Sequence, residues 1–148
     1  MYALVGLAFG FGLHAATTTI LQSLGVPYEE QLGRFRDQWH RACSGIHDLA
    51  RVSCDGGHLY RVSNSLLLAH EDKTYAGAII ASASIPWGEA KGDEDLGGYH
   101  LVWTRVLVET VGGLVAAGAQ GDAGRVLRYL QVTQEKDGHW PQNMWLDG

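Results

Sequence analysis

The segment LVWTRVLVETVGGLVAA, residues 101–117, is apolar around most of its circumference and predicts a helix over that whole range. A helix on the surface of a small domain keeps a broad polar face, whereas one that is apolar on most sides packs inside a larger structure. Gly112 and Gly113 have no side chain and would let a neighbouring element approach closely. The segment therefore predicts a mainly α fold in which this helix has several neighbours.

Further helices are predicted on both sides of this segment. They cover residues 15–24, 28–43, 59–70 and 122–134. The first ends at Gly25 and Pro27, and the last begins at Asp122 as N-cap. Residues 28–43 repeat apolar side chains at helical spacing between charged ones, which is typical of an amphipathic helix. The short apolar run at residues 78–84 fits either a strand or an extended core segment.

The first fourteen residues are apolar and interrupted by glycine. They are too few to span a bilayer and lack the positive start of a signal peptide, so we favour a buried β-strand over a signal sequence. A chain that begins in a core and stops abruptly in the turn-like residues 146–148 is expected to be cut at both ends. We therefore expect a fragment of a longer protein, and its localisation stays open.

The composition excludes some classes of partner. The chain has 148 residues, 46% hydrophobic and 18% charged, with a formal net charge of −5. A net negative charge with scattered basic residues argues against nucleic acid or an anionic membrane as the main partner. Cys43 and Cys54 fit one disulfide or two buried free thiols equally well. No CxxC or HExxH pattern is present, so we expect neither a metal nor a cofactor.

One group of side chains suited to binding a sugar lies at the start of the apolar helix. Tyr99 and Trp103 offer flat apolar faces on which the C–H face of a sugar ring can stack. Arg105 offers permanently charged N–H donors for hydroxyl oxygens. The alternative is an ion pair between Arg105 and Glu109, four residues further along the helix. Spacing alone favours that structural role over a sugar site.

Two further groups have both a chemical and a structural interpretation. The first is an acidic run in a glycine-rich loop, with Glu89, Asp93, Glu94 and Asp95. Paired carboxylates carry out glycoside hydrolysis, one as acid and one as base or nucleophile. Acidic runs in such loops are, however, more often simply solvated. The chain's last loop carries polar and aromatic side chains at His139, Trp140, Gln142, Asn143, Trp145 and Asp147. Its amides fit sugar hydroxyls or the neighbouring backbone equally well.

Residues 70–105, HEDKTYAGAIIASASIPWGEAKGDEDLGGYHLVWTR, and residues 128–148, RYLQVTQEKDGHWPQNMWLDG, together resemble bacterial members of glycoside hydrolase family 15. That family comprises glucoamylases, glucodextranases and related trehalases. The resemblance runs from about residue 60 to the end and is weaker before it. It shifts the interpretation of Tyr99, Trp103 and Arg105 from structural to sugar-binding.

The resemblance implies a partial (α/α)6 barrel of the six-hairpin glycosidase type. Residues 1–14 would be the last strand of an N-terminal β-sandwich domain, residues 15–57 linker helices, and residues 58–148 the first helices and loops of the truncated catalytic barrel. The substrate would be an α-glucan or maltooligosaccharide. The implied substrate-binding residues are Tyr99, Trp103, Arg105, Trp140 and Trp145. Bare barrel helices would allow self-association.

Two departures from the family pattern bear on activity. The motif YxxxWxRD ends here in Val106, which cannot accept the hydrogen bonds that the family's aspartate accepts from glucose hydroxyls. The family's general acid and base lie beyond Gly148, so no catalytic residue is assigned in this chain. We expect a fragment of an inverting exo-acting α-glucosidase that is inactive by itself. The alternative is an inactive carbohydrate-binding or interaction remnant of the family.

Overall fold

The computed structural model describes residues 3–84 and 98–148. The chain forms two compact units, Met1–Ala42 and Cys43–Gly148, which are described separately. The described residues form five helices and one two-stranded sheet, so the predicted mainly α class is confirmed.

The first unit consists of an extended segment and two helices. Helix α1 spans Leu13–Leu24 and helix α2 spans Tyr28–Cys43, with the break at Gly25 and Pro27 where the sequence predicts it. The turn is held by the Gln31 side-chain amide, which donates to the carbonyls of Ser23 and Val26. The predicted buried strand is not formed, because residues 3–12 pair with no described segment, form neither helix nor strand, and are nearly all exposed. Their assignment to a β-sandwich domain stays a prediction.

The second unit contains the remaining elements. Helix α3 spans His58–Ala69, helix α4 Thr104–Ala116 and helix α5 Gln120–Thr133; strand β1 is Val102–Trp103 and strand β2 Asn143–Met144. Helices α4 and α5 pack against each other across a tight turn, in which Gly118 has φ +88. The core of the second unit contains the fully buried side chains of Leu101, Val102, Leu107, Leu114 and Val126.

The predicted helix over residues 101–117 begins three residues later than expected. Val102 and Trp103 instead pair with β2 in an antiparallel sheet, which takes their backbone hydrogen bonds away from a helix. The predicted close approach at Gly112 is wrong, since no described atom outside its own helix turn lies within 4 Å of a Cβ built there. Helix α5 begins at Gln120 rather than after Asp122, which lies in its first turn.

The segment before α3 is held by a carboxylate cap. Asp55 accepts hydrogen bonds from the N–H of Leu59 at 2.8 Å and of Gly57 at 3.0 Å. The bond from Leu59 makes the largest contribution to lowering the pKa of Asp55. Helix α3 ends at Ala69, one residue before the predicted end, and His70 is its C-cap. Cys43 and Cys54 are free thiols, and Cys54 is exposed rather than buried.

Several large apolar side chains of the second unit face solvent, among them Leu59, Leu66, Val108, Val115, Leu127 and Val132. Self-association through these faces stays a prediction. Within residues 3–84 and 98–148, no helix has the length and apolar character needed to cross a bilayer. The same residues contain no cluster of three or more His, Cys, Asp or Glu side chains arranged to hold a metal ion.

Candidate functional site

Tyr99 and Trp103, the two aromatic residues predicted at the start of α4, stack directly on each other. Their ring centroids are 5.1 Å apart and their planes differ by 9°. The indole Nε1 of Trp103 donates to the carbonyl of Gly98 at 2.9 Å, which fixes the orientation of the ring. Both side chains are half-buried. Each ring covers one face of the other, and the stacked pair of Tyr99 and Trp103 is here called the aromatic platform.

Backbone pairing holds the platform from two sides. On one side, the N–H of Ser82 donates to the carbonyl of Tyr99 and that of Ala81 to the carbonyl of Leu101, both at 3.0 Å. On the other side, Trp103 lies opposite Asn143 in the β1–β2 sheet. The apolar run at residues 78–84, which the sequence left open, is therefore an extended segment next to the site.

The chain's last loop lies against the start of α4. The Thr104 hydroxyl donates to the carbonyl of Pro141 at 2.8 Å, and its N–H donates to that of Gln142 at 3.2 Å. This carbonyl caps a helix that has no side-chain N-cap. The structure thus brings the last loop together with the platform, two groups that the sequence predicts separately.

The two tryptophans of this loop differ in their surroundings. Trp140 is half-buried, and its Nε1 donates to the carbonyl of Leu130 at 3.0 Å, so that its polar atom is used within the fold. Trp145 is 42% exposed. The carbonyl of Trp145 accepts a hydrogen bond from the Tyr129 hydroxyl at 3.2 Å. Burial, together with the charge of Asp147, raises the pKa of Tyr129 to about 12.

Arg105 is the second residue of α4 and is exposed. Within the described part of the chain it makes no ion pair, so the alternative pairing with the exposed Glu109 is not formed. A cation in the first turn of a helix opposes the helix dipole by about 0.3–1 kcal/mol. The position of Arg105 therefore does not contribute to helix stability. The next residue, Val106, is half-buried.

The predicted acidic run, Glu89, Asp93, Glu94 and Asp95, lies outside the described residues. In the last loop, His139 pairs with the neighbouring Asp137, and both side chains are exposed. The hydrogen bond from His139 makes the largest contribution to lowering the pKa of Asp137.

Comparison with curated proteins finds a glucoamylase from Clostridium sp. (strain G0005), which is 37% identical over 142 residues. The alignment covers 96% of this chain and 20% of the relative. The chain is homologous to part of a glucoamylase. The resemblance to bacterial glucoamylases predicted from the sequence is confirmed, and the chain spans about a fifth of the length of this curated relative. No protein-family model matches the chain, and no solved structure matches it.

The second unit contains an ion-pair cluster that the sequence does not predict. Arg125 on α5 donates to both carboxylate oxygens of Glu71, from Nε at 2.8 Å and from Nη2 at 2.7 Å, and also donates to Asp122. The Glu71 side chain is 13% exposed. Residues 71 and 125 are 54 positions apart, so no local pattern indicates their contact.

The charges in this cluster stabilise one another. Burial raises the pKa of the Glu71 carboxyl, but the hydrogen bonds and charge of Arg125, with the N–H of Gly77, outweigh burial and lower the pKa below its ordinary value. The hydrogen bonds to Glu71 make the largest contribution to raising the pKa of Arg125. Both groups are therefore charged at neutral pH.

Proposed function

We propose that this chain is part of an inverting exo-acting α-glucosidase that releases glucose from the non-reducing ends of α-glucans. The chain would supply part of the pocket for the terminal glucose, while the general acid and base would lie in a part of the protein outside it. The homology to a glucoamylase over 96% of the chain carries this proposal. The proposal implies a longer protein that contains this chain, and we call it the complete protein.

The geometry of the platform supports a sugar ligand. Tyr99 and Trp103 stack face to face and are both partly exposed, so part of their aromatic surface is accessible to a sugar ring. A hexose presents C–H groups on its flat side and hydroxyls on its rim, so an aromatic face with donors at its edge is complementary to it. Arg105 supplies such donors two residues from Trp103, in an exposed position where it opposes the helix dipole.

An inverting reaction requires two carboxyl groups about 6.5–9.5 Å apart, with the attacking water between one of them and the sugar. One carboxylic acid protonates the departing glycosidic oxygen, and the other carboxylate removes a proton from the water. The platform and Arg105 would hold the terminal glucose so that its anomeric carbon faces that water. Binding and orientation, rather than proton transfer, would be the contribution of this chain.

The experiment that tests this function follows the products of maltotriose by proton NMR. The complete protein is expected to release glucose as the β-anomer first, because inversion at an α-linkage produces β. The 148-residue chain alone is expected to release none. Glucose released initially as the α-anomer would contradict inversion, and glucose released by the purified chain would contradict the placement of the acid and base outside it.

Val106 favours a second candidate, an inactive carbohydrate-binding or interaction remnant of the family. A valine side chain can neither accept nor donate a hydrogen bond, so the acceptor that the family motif has at this position is missing. Binding of maltotriose by the complete protein without release of glucose would support this candidate over the enzyme.

A further inference from the structure

The ion pair between Glu71 and Arg125 joins the candidate site's supporting segment to helix α5. Arg125 contacts Glu71 with two nitrogens, and such two-point contact fixes the relative orientation of the two groups as well as their distance. Asp122, one turn earlier on α5, accepts a further hydrogen bond from the same guanidinium. The guanidinium is thereby held between two carboxylates and has little freedom to move.

Glu71 in turn fixes the backbone that follows it. Its Oε1 accepts a hydrogen bond from the N–H of Gly77 at 2.9 Å, and its backbone forms an isolated antiparallel bridge with Ile79. Gly77 lies directly on α5, since a Cβ at this position would be 2.5 Å from the carbonyl oxygen of Arg125. The segment of residues 71–79 is therefore attached to α5 through both its side chain and its backbone.

The segment of residues 71–79 is followed directly by residues 80–82, which hold the backbone of the platform. Ile80 donates to the carbonyl of His70 at 3.1 Å, and the next two N–H groups, of Ala81 and Ser82, donate to the carbonyls of Leu101 and Tyr99. Tyr99 then stacks on Trp103. The hydrogen-bonded segment of residues 71–82 thus connects the side chain of Arg125 with the backbone of Tyr99.

We propose that Arg125 is a positioning residue for the aromatic platform, acting through Glu71 and the segment of residues 71–82. The expected effect on catalysis rests on the proposed function. The expected effect on the position of the platform does not. A partly buried ion pair contributes little net stability, because removing two charges from water offsets much of their attraction. Removing only one partner is destabilising, because the other charge is then left unpaired. The two-point geometry of the ion pair instead sets where the supporting backbone lies, and with it the distance and tilt of Tyr99 against Trp103.

The test uses Arg125→Lys in the complete protein, with Arg128→Lys as the matched control. Lysine keeps the charge but replaces the planar two-point contact by a single ammonium. Arg128 lies on the same helix and is exposed, and it makes no ion pair with a described residue. Hydrogen exchange followed by mass spectrometry reports on residues 80–82 and 98–103, and kinetics with maltotriose report on the site.

We expect Arg125→Lys to accelerate exchange in both segments by tenfold or more and to lower kcat/KM by roughly ten- to a hundredfold, since small misplacement of a binding group has effects of this size. Arg128→Lys should change neither. Unchanged exchange in residues 98–103 of a folded Arg125→Lys protein would overturn the proposal, as would faster exchange there with unchanged kinetics.

Two further arms make every outcome informative. If Arg125→Lys does not fold, Glu71→Asp is used instead, because it shortens the same contact by one methylene group. Hydrogen exchange and kinetics with maltotriose then test the proposal in that variant. If the unmodified complete protein releases no glucose, the proposed function fails. The exchange data then still determine whether Arg125 holds the platform, and the affinity for maltotriose, measured by calorimetry, replaces kcat/KM.

Discussion

The phenol ring of Tyr99 lies parallel to the indole ring of Trp103, with centroids 5.1 Å apart and planes within 9°. Tyr99 is therefore not a separate wall of a cleft but a support for Trp103. The orientation of the pair depends on backbone hydrogen bonds from Ser82 to Tyr99 and from Thr104 to the last loop. Changes to either ring or to its support should alter sugar binding in ways that can be distinguished.

Replacing Tyr99 tests whether its ring or its hydroxyl matters for the platform. Tyr99→Phe keeps the stack and should bind maltotriose with nearly the original affinity. Tyr99→Ala removes the support of Trp103, and because an aromatic pair contributes about 0.5–1.5 kcal/mol beyond its buried area, we expect roughly three- to tenfold weaker binding. Calorimetry on the complete protein measures both. Tyr28→Ala, at an exposed tyrosine of the first unit, is the control. Equal losses in the Tyr99→Phe and Tyr99→Ala variants would instead indicate a role for the hydroxyl.

Val106→Asp tests whether the valine limits the site. A carboxylate at this position would accept hydrogen bonds from glucose hydroxyls, and hydrogen bonds to charged groups contribute about 1.5–3 kcal/mol, so kcat/KM of the complete protein should rise roughly ten- to a hundredfold. The third position of α4 also favours an acidic side chain, because the helix dipole is positive there. Val106→Asn, which has an acceptor but no charge, should give a smaller rise. No rise in either variant would show that this position does not contact the sugar.

The ion pair at Glu71 predicts a specific dependence of stability on pH. The pKa of Glu71 is lower in the folded state than in the unfolded state, where it is near 4.5. The ionised Glu71 side chain therefore makes its full contribution to the free energy of unfolding above pH 4.5. That contribution is lost as the pH falls through the lower folded pKa. Glu71→Gln should therefore destabilise the chain by ~2 kcal/mol at neutral pH and by progressively less in acid. Urea unfolding at low protein concentration, from neutral pH to strongly acid, measures the difference. A difference that stays constant with pH would contradict the lowered pKa.

Two glycines should respond oppositely to the same substitution. Gly77 has φ +93, and a Cβ there would meet the Arg125 carbonyl, so Gly77→Ala should destabilise the chain by about 2 kcal/mol or more. Gly112 lies inside α4 with open space around it, so Gly112→Ala should stabilise the chain by about 0.5–1 kcal/mol. Urea midpoints of both variants give the comparison. Stabilisation by Gly77→Ala would mean that residues 71–79 do not lie against α5.

The sequence predicts those parts of the fold that local patterns determine. Helix α2 has the predicted bounds. Its apolar residues recur at helical spacing, and Gly25 and Pro27 mark the position before which the helix cannot begin. The predicted start of α4 is wrong because Val102 and Trp103 pair with residues 143 and 144, about 40 positions along the chain. A pattern of neighbouring residues carries no information about so distant a partner. For the same reason the contact of Glu71 with Arg125 is not predicted. The platform residues are predicted as a group, but their mutual stacking is a result of the tertiary structure.

We expect a terminal glucose to stack on the platform formed by Tyr99 and Trp103. The decisive measurement is a crystal structure of the complete protein with a thio-linked maltotriose, which resists hydrolysis. We expect the non-reducing glucose ring to lie parallel to an outer face of the pair at about 4 Å, with a hydroxyl about 3 Å from the Arg105 guanidinium. A ligand bound elsewhere, with both outer ring faces uncovered, would contradict the account.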